Sequence, residues 1–298
     1  MHILSTENTF ISRFDVGLAA TIGFFDGVHT GHRFVLERLQ QVASENGLES
    51  AVVVFEEHPQ QILRGIRVPL LTTLNERIAL LKNSGVDHVL PFRFEEIRLL
   101  SAEAFMHLLR EKYDVCVLIM GYDHRFGSDQ LMDFSDYEQC AARVGIKLVL
   151  LPQNPRSDAS STTIRKALAS GNIEKANQLL GYTYTLAGKV VPGKQIGRTI
   201  GFPTANLSVP EEKLIPLAGV YVCKVDGMDA LLNIGNNPTT QGTEVTIELH
   251  LIDFDGDLYG KNLSVKLLRY LRPEQKFDNI EALRQQIMQD VRAINNTK

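Results

Sequence analysis

Residues 21–33 read TIGFFDGVHTGHR, and this stretch decides the fold of the first half of the chain. It begins as an apolar strand end, places glycines at 23, 27 and 31, and sets His29-x-Gly31-His32 against the start of an amphipathic helix. A Gly-rich turn feeding a helix N-terminus is an anion site, because free backbone N–H groups and the helix dipole converge there. The two histidines add side-chain donors that can be cationic near neutral pH. The pattern points to nucleotide phosphates, with Gly23, Phe25, Gly27, Gly31, His29 and His32 as the candidate residues of the loop. A turn with two exposed histidines is the plain alternative, and the strand–glycine–helix context weighs against it. Zinc is disfavoured, since no Cys or carboxylate cluster lies close in sequence.

Outward from this loop, residues 16–151 alternate strand and helix. Apolar strand segments are expected at 16–23, 51–55, 86–92, 115–120 and 146–151. Between them, residues 31–46 place Val35, Leu39 and Val42 on one helical face. Thr73-x-x-Glu76 has capping-box spacing for a helix over 75–84, Ser101 opens one over 101–112, and Ser135-x-x-Glu138 is read as the cap of another that stops at Gly145. Five such alternations with near-continuous apolar strands imply a parallel sheet covered on both faces by helices. Ligands of such sheets bind at the strands' carboxyl ends, where the His29–His32 loop falls.

After Pro152 comes a polar stretch, then a short helix ending LLGY. From Thr183 the pattern turns to β, in the segments TYTLAGKVV, GVYVCKV, DALLNIG, EVTIELHLIDF and NLSVKLLRYL. Residues 279–295 return to helical spacing, with Ile280, Leu283, Ile287, Val291 and Ile294 in phase. The boundary is set near residue 182, giving domains 1–182 and 183–298.

Composition bounds the function. The 298 residues suffice for about two cores, and a formal charge of -4 argues against nucleic acid as the main partner. No apolar run reaches the roughly 18 residues of a spanning helix, and the N-terminal stretch lacks a basic region followed by a long apolar one. Cys116, Cys140 and Cys223 form no CxxC pair and read as free thiols in a reducing compartment. The expectation is a cytoplasmic protein acting on small molecules, without a membrane partner.

Three further segments carry chemistry, and a fourth only mimics it. Ser160–Arg165, SSTTIR, offers hydroxyls and a guanidinium at a helix start, and Ser161, Thr162 and Arg165 are candidate phosphate ligands; alone it reads as an ordinary N-cap with a surface arginine. Gly188-x4-Gly193-Lys194 mimics a phosphate loop but is rejected, because Gln195 replaces the Ser/Thr and no helix pattern follows. In GRTIGFPTANL, Gly201, Pro203 and Thr204 are candidate nucleotide contacts, and Thr204 with Asn206 offers hard oxygen ligands of the kind Mg²⁺ accepts beside phosphates. From composition alone, a turn with local hydrogen bonds is the favoured reading of that segment. In residues 245–251 the alternation puts Glu248 on the non-core face of a strand, into solvent or into a cleft. A solvated face is the commoner case, yet a rigidly held carboxylate suits proton removal from an alcohol.

Taken together, GFFDGVHTGH, His58-Pro59, GYDHRFG at 121–127, SSTTIR, GKQIGRTIGFPTANL, NIGNNPT, IELHLIDFDGDLYG and LRPEQKF, in this order, resemble the prokaryotic bifunctional riboflavin kinase/FAD synthetase family over nearly the whole chain. The resemblance implies a Rossmann-like nucleotidyltransferase domain followed by a riboflavin-kinase β-barrel with a C-terminal helix. It implies ATP-dependent phosphorylation of riboflavin to FMN, then adenylylation of FMN to FAD with release of pyrophosphate. Glu248 would be the general base of the first reaction, with Thr204 and Asn206 on Mg²⁺ and phosphate. His29 and His32 would stabilise charge at the α-phosphorus in the second, with Ser161, Thr162 and Arg165 on the pyrophosphate. His58, Pro59 and Asp123 would contact flavin or nucleotide. FMN and FAD are then substrate and product rather than prosthetic groups. The chain departs from the family pattern at Val54, Glu57, His124 and Asn237. The alternatives are a monofunctional riboflavin kinase, a non-catalytic flavin- or nucleotide-binding regulator, and a cytidylyl- or pantetheine-type transferase, which leaves 183–298 unexplained.

Overall fold

Five parallel strands of the first half align in the order β3-β2-β1-β4-β5, with β1 Leu18–Gly23, β2 Glu49–Phe55, β3 His88–Phe92, β4 Val115–Gly121 and β5 Lys147–Leu151. The computed structural model describes residues 16–122, 124–152, 158–193, 197, 201–239 and 242–295. By its contacts the chain divides into Met1–Asp158 and Ala159–Lys298.

In the first unit, alternate strand residues feed two cores. Leu18, Ala20, Ile22, Ala51 and Val53 pack with Phe105, Met106 and Leu109 of α5 (Ala102–Tyr113) and with Tyr137 and Cys140 of α6 (Phe134–Arg143). Ala19, Val52, Val54 and Val89 face the other way, onto Leu36, Leu39 and Val42 of α1 (Thr30–Glu45) and Ile78 and Leu81 of α3 (Leu74–Asn83). Both faces are therefore covered, and period two explains why the strands read as continuous apolar runs. Short helices α2 (Pro59–Arg64) and α4 (Phe94–Ile97) complete the unit.

The expected caps are present with one exception. Thr73 and Glu76 form the reciprocal capping box, and Ser101 accepts from the Ala104 amide. Ser135 does not cap α6: the helix starts at Phe134 with Asp133 in the cap position and no side-chain cap bond. The residues carrying the Ser-x-x-Glu spacing already have helical backbone, so the hydroxyl has no cap position to fill.

The second unit is a closed antiparallel barrel of order β10-β7-β6-β11-β8-β9. Its strands are β6 Thr185–Val191, β7 Ala205–Ser208, β8 Gly219–Val225, β9 Met228–Thr239, β10 Gly242–Leu251 and β11 Asn262–Arg272. The five β segments read from sequence become six strands, because the short β7 closes the cylinder between β6 and β10. Gly188 lies inside β6, paired with Leu263, so the rejected phosphate-loop match is a strand; Lys194 lies outside the described residues. Helix α9 (Ile280–Asn295) packs Ile294 and Val291 on Val220, Val222 and Leu231 of the barrel's outer face.

Helices α7 (Ser161–Ala169) and α8 (Ile173–Leu180) also belong to this unit. The Asn177 side chain donates to the Leu267 carbonyl at 2.9 Å and accepts from the Tyr184 amide at 2.7 Å, while the Leu217 amide donates to the Leu168 carbonyl. The change of periodicity near residue 182 marks where helix gives way to strand; the packing changes at Asp158, ahead of two amphipathic helices that bury their apolar faces with the barrel. Cys140 and Cys223 are buried, Cys116 is half-buried, and all three are unpaired thiols. Among the described residues no helix is long and apolar enough to cross a membrane.

Candidate active sites

In the first unit the strand order reverses at β1 and β4, and a cavity of about 460 Å³ opens at their carboxyl ends. Thr21–Gly23, Phe24, Phe25, His32, Gly121, His124 and Arg125 line it. This is where an open parallel sheet binds its ligand. The Gly-rich turn is held by Asp26, which is buried and accepts from the amides of Leu71 and Thr72, both at 3.0 Å, and from the Thr72 hydroxyl. Gly27, at φ 80°, gives its N–H to the Thr72 oxygen at 3.0 Å, so its part is the turn rather than a free phosphate donor. Phe25 and Val28 take positive φ of 53° and 36°, strain that a β-branched residue tolerates only where its surroundings impose it. A Cβ on Gly23 would meet the Phe25 ring at 2.8 Å, so glycine is what lets the ring fold back.

His29 is the N-cap of α1: its Nδ1 accepts from the His32 amide at 3.3 Å, which leaves the proton of the neutral ring on Nε2. His32 stacks on it, ring centroids 3.7 Å apart, and it is His32 that reaches the cavity, while His29 is buried behind it. The expectation of cationic histidines is corrected here. Burial holds His29 down at about 4 although Asp26 opposes the shift, and burial, His29 and Arg77 together hold His32 well below its ordinary value. Both shifts favour the neutral form of the rings in the free protein.

His58 caps α2 through its Nδ1 and meets the Phe24 ring edge-on at 4.7 Å, so it supports the cavity floor; Pro59 is the first residue of that helix. His124 lines the cavity, with its ring 5.8 Å from Phe126. Val54 is core, and Glu57 accepts from the Phe94 amide. Asp123 lies outside the described residues. In the second unit Ser160 caps α7 by accepting from the Thr163 amide at 3.1 Å, which places Ser161, Thr162 and Arg165 on the helix's first turns.

On the barrel, register gathers a row that sequence spacing could not show. Glu248 pairs with Asn206 on β7 and with Asn233 on β9; Asn233 pairs with Val220, and Val220 with Arg272. Residues directly opposite on an antiparallel ladder share a face, so these side chains run in one line across five strands. Glu248, Asn233, Val220 and Arg272 line a cavity of about 530 Å³ that Phe277 and, from α9, Leu283 and Ile287 close with apolar surface. The carboxylate therefore faces a cleft. Its walls are braced by Arg272, which donates from Nε at 3.0 Å and Nη2 at 2.7 Å to the buried Asp290.

Thr204 also borders this cavity, and with Pro203, Phe254, Asp257 and Tyr259 it borders a second one of about 410 Å³. His250, two residues beyond Glu248 on the same face, makes a 2.9 Å Nδ1 bond with the Pro203 carbonyl, and its ring meets Phe202 edge-on. A Cβ on Gly193 would collide with the Asn206 amide, so this glycine leaves Asn206 its place. Gly201 turns at φ 82° just before. Thr204 and Asn206, two residues apart beside Glu248, offer hydroxyl and amide oxygens, hard donors of the kind Mg²⁺ accepts beside phosphate. Asn233, His250 and Arg272 were missed from sequence; the alternation that exposed Glu248 also exposed His250, whereas Asn233 and Arg272 needed the register. Asn237 contributes its backbone to β9.

A parallel sheet with a histidine-lined cavity at its switch point, followed by a barrel with a carboxylate in an apolar cleft, defines a two-module nucleotide-dependent transferase. The FAD synthetase family model matches residues 12–163 and the riboflavin kinase model residues 180–298. The bifunctional riboflavin kinase/FMN adenylyltransferase of Listeria monocytogenes is 37% identical over 93% of this chain and 91% of its own length. That of Escherichia coli K12 is 37% identical over 92% and 90%. A crystal structure from Streptococcus pneumoniae, described as a macrolide-efflux protein, superposes with TM-score 0.83 at 30% identity over 95% of both chains. The chain belongs to the bifunctional riboflavin kinase/FMN adenylyltransferase family.

Proposed function

We propose that the chain converts riboflavin to FMN on the barrel and FMN to FAD at the parallel sheet, using ATP for both. The observation that carries the kinase reading is that Thr204 borders two cavities at once while Glu248 lines the more apolar one. The flavin is assigned to the cavity of Phe277, Leu283 and Ile287, and the nucleotide to that of Phe254 and Tyr259. Phosphoryl transfer depends on position and charge more than on covalent help. Glu248, held by its strand, accepts the proton of the ribityl 5′-hydroxyl as that oxygen attacks the γ-phosphorus, and ADP leaves. Thr204 and Asn206 orient the phosphates. Mg²⁺, held by Thr204 and Asn206, would neutralise phosphate charge.

In the sheet module, an FMN phosphate oxygen attacks the α-phosphorus of ATP, the bond to the β-phosphate oxygen breaks, and pyrophosphate leaves. No covalent enzyme intermediate is required. His32 at the cavity wall donates to the α-phosphate as a neutral imidazole, ordered by the His29 cap and its stacked ring. Gly31 and the α1 N-terminus add backbone donors and a dipole. The phosphate assignment of Ser161, Thr162 and Arg165 on α7 rests on the family resemblance alone. In these terms the catalytic division is 1–182 and 183–298. The substrates are small molecules, and the three unpaired thiols support a cytoplasmic setting.

The test is incubation of purified protein with riboflavin, ATP and Mg²⁺, with flavins separated over time. FMN followed by FAD is expected. FMN alone would reduce the sheet module to an inactive one, and no new flavin would favour a binding protein.

A further inference from the structure

Beside the His32 cavity lies an arginine that no motif points to. Arg77, on the first turns of α3, is 0% exposed. Its Nη2 donates to the carbonyls of Phe55 at 2.8 Å and Glu56 at 3.2 Å, at the carboxyl end of β2. Its guanidinium carbon lies 4.0 Å from the centroid of the Phe24 ring, which lines the cavity. Nε and Nη1 are buried and meet no acceptor. Asp26 is the carboxylate whose charge acts on Arg77, but its oxygens receive Leu71 and Thr72.

A buried cation normally brings a hydrogen-bonded carboxylate with it, and orphaned donors in its plane are costly. Tying β2 to α3 needs a single donor, which a neutral side chain could supply. The structure instead keeps a full charge, in part balanced by the ring face of Phe24, next to a histidine pair that carries no charge of its own.

We propose that Arg77 is a positioning residue of the adenylyl-transfer site: it clamps the Phe24 ring that forms part of the cavity wall and supplies the fixed positive charge that draws the triphosphate to His32. This rests on the reading of that cavity as the ATP site. The groups that act on Arg77 are Asp26, the Phe24 ring and the two β2 carbonyls; those that act on His32 are His29, Arg77 and the Phe25 ring. Division of labour follows. The neutral imidazole donates a directed hydrogen bond, and the cation, which burial lowers only to about 10, stays charged at every working pH.

The experiment compares the full chain with Arg77→Met and Arg77→Lys. KM for ATP and kcat are measured for adenylylation of supplied FMN, and the riboflavin kinase rate of the same samples reports that the barrel is intact. In Arg77→Met we expect KM for ATP to rise about tenfold or more with a smaller change in kcat, the split expected when uniform binding is lost. Arg77→Lys recovers part of it. NMR titration of the His32 ring without substrate is expected to move up in Arg77→Met, where one of its depressing causes is gone, and to stay low in Arg77→Lys. Unchanged KM and unchanged titration in folded Arg77→Met overturn the proposal. Should that variant fail to fold, Phe24→Leu keeps the charge and removes the clamped ring; a raised KM for ATP supports the clamp and an unchanged one overturns it. If the wild type does not adenylylate FMN at all, the ATP-site reading fails, while the His32 titration still decides whether Arg77 governs that ring.

Discussion

Asn206 and Glu248 stand opposite one another on β7 and β10, a register pair whose side chains share one face of the barrel. Asn233 opposes Glu248 from β9 on its other side. The carboxylate is thus flanked by two amides on neighbouring strands. On that relationship rests the role proposed for Glu248 as a base held by its strand.

Replacing Glu248 with Gln keeps the shape and removes the proton acceptor. Riboflavin phosphorylation should fall by about 10²–10⁴-fold, the range general-base removal costs, while adenylylation of supplied FMN continues. Chromatography of flavins from parallel incubations with riboflavin and with FMN checks this. Loss of both reactions in a folded protein would mean that the two chemistries share a site.

The parts of this architecture legible in sequence were those set by local periodicity and capping. Five strands, the α1, α3 and α5 starts and the non-core face of Glu248 follow from spacing alone. Strand β7 escaped because four residues behind Pro203 read as a turn; only closure between β6 and β10 makes Ala205–Ser208 a strand. Arg77 escaped because an arginine beside Glu76 on a helix reads as solvent-facing, while in the fold it shares the buried side with Ile78 and Leu81. The charge state of His29 and His32 depends on burial, which no motif encodes. Asn233 and Arg272 enter the row only through long-range pairing.

His250 should matter through Pro203. With Nδ1 bonded to that carbonyl, the ring fixes the segment that delivers Thr204 to both cavities. His250→Phe keeps the aromatic contact with Phe202 and removes the bond. We expect KM for ATP in the kinase reaction to rise several-fold and the flavin affinity to change less, with His250→Asn recovering part of the loss by restoring a donor. Equal effects on both substrates, or none, would argue that the bond only decorates the loop.

Arg272 and Asp290 tie α9 to the cavity. Asp290 is 4% exposed and also accepts from Gln286. Arg272→Met would strand a buried carboxylate, a loss of about 3–5 kcal/mol for one partner of a buried pair. Thermal unfolding should show it, and the KM for riboflavin should rise as Leu283 and Ile287 lose their place. The double variant Arg272→Met/Asp290→Leu should regain most of the stability, because no charge is left unpaired. If the double variant is no better than the single, the pair's role is not electrostatic.

Acid should weaken the sheet module through its histidines. In the unfolded chain each imidazole takes a proton near pH 6.5; in the fold burial holds His29 to about 4 and His32 well below 6.5. Between those values the unfolded state binds more protons, so stability rises with pH across this window, is complete above about 6.5, and drains away as pH falls toward 4. His29 alone accounts for about 3 kcal/mol of that slope. Circular-dichroism melting at pH 7.5, 6 and 5 measures it, and His29→Asn, which retains an N-cap oxygen, should flatten the dependence while leaving stability at pH 7.5 less altered. The same neutrality fixes the kinetics. With burial favouring the neutral rings, adenylylation of FMN should show no fall as pH rises through 6.5. A rate that falls through that pH with a single titrating group would place a charged histidine in the reaction and return the phosphate charge to His32.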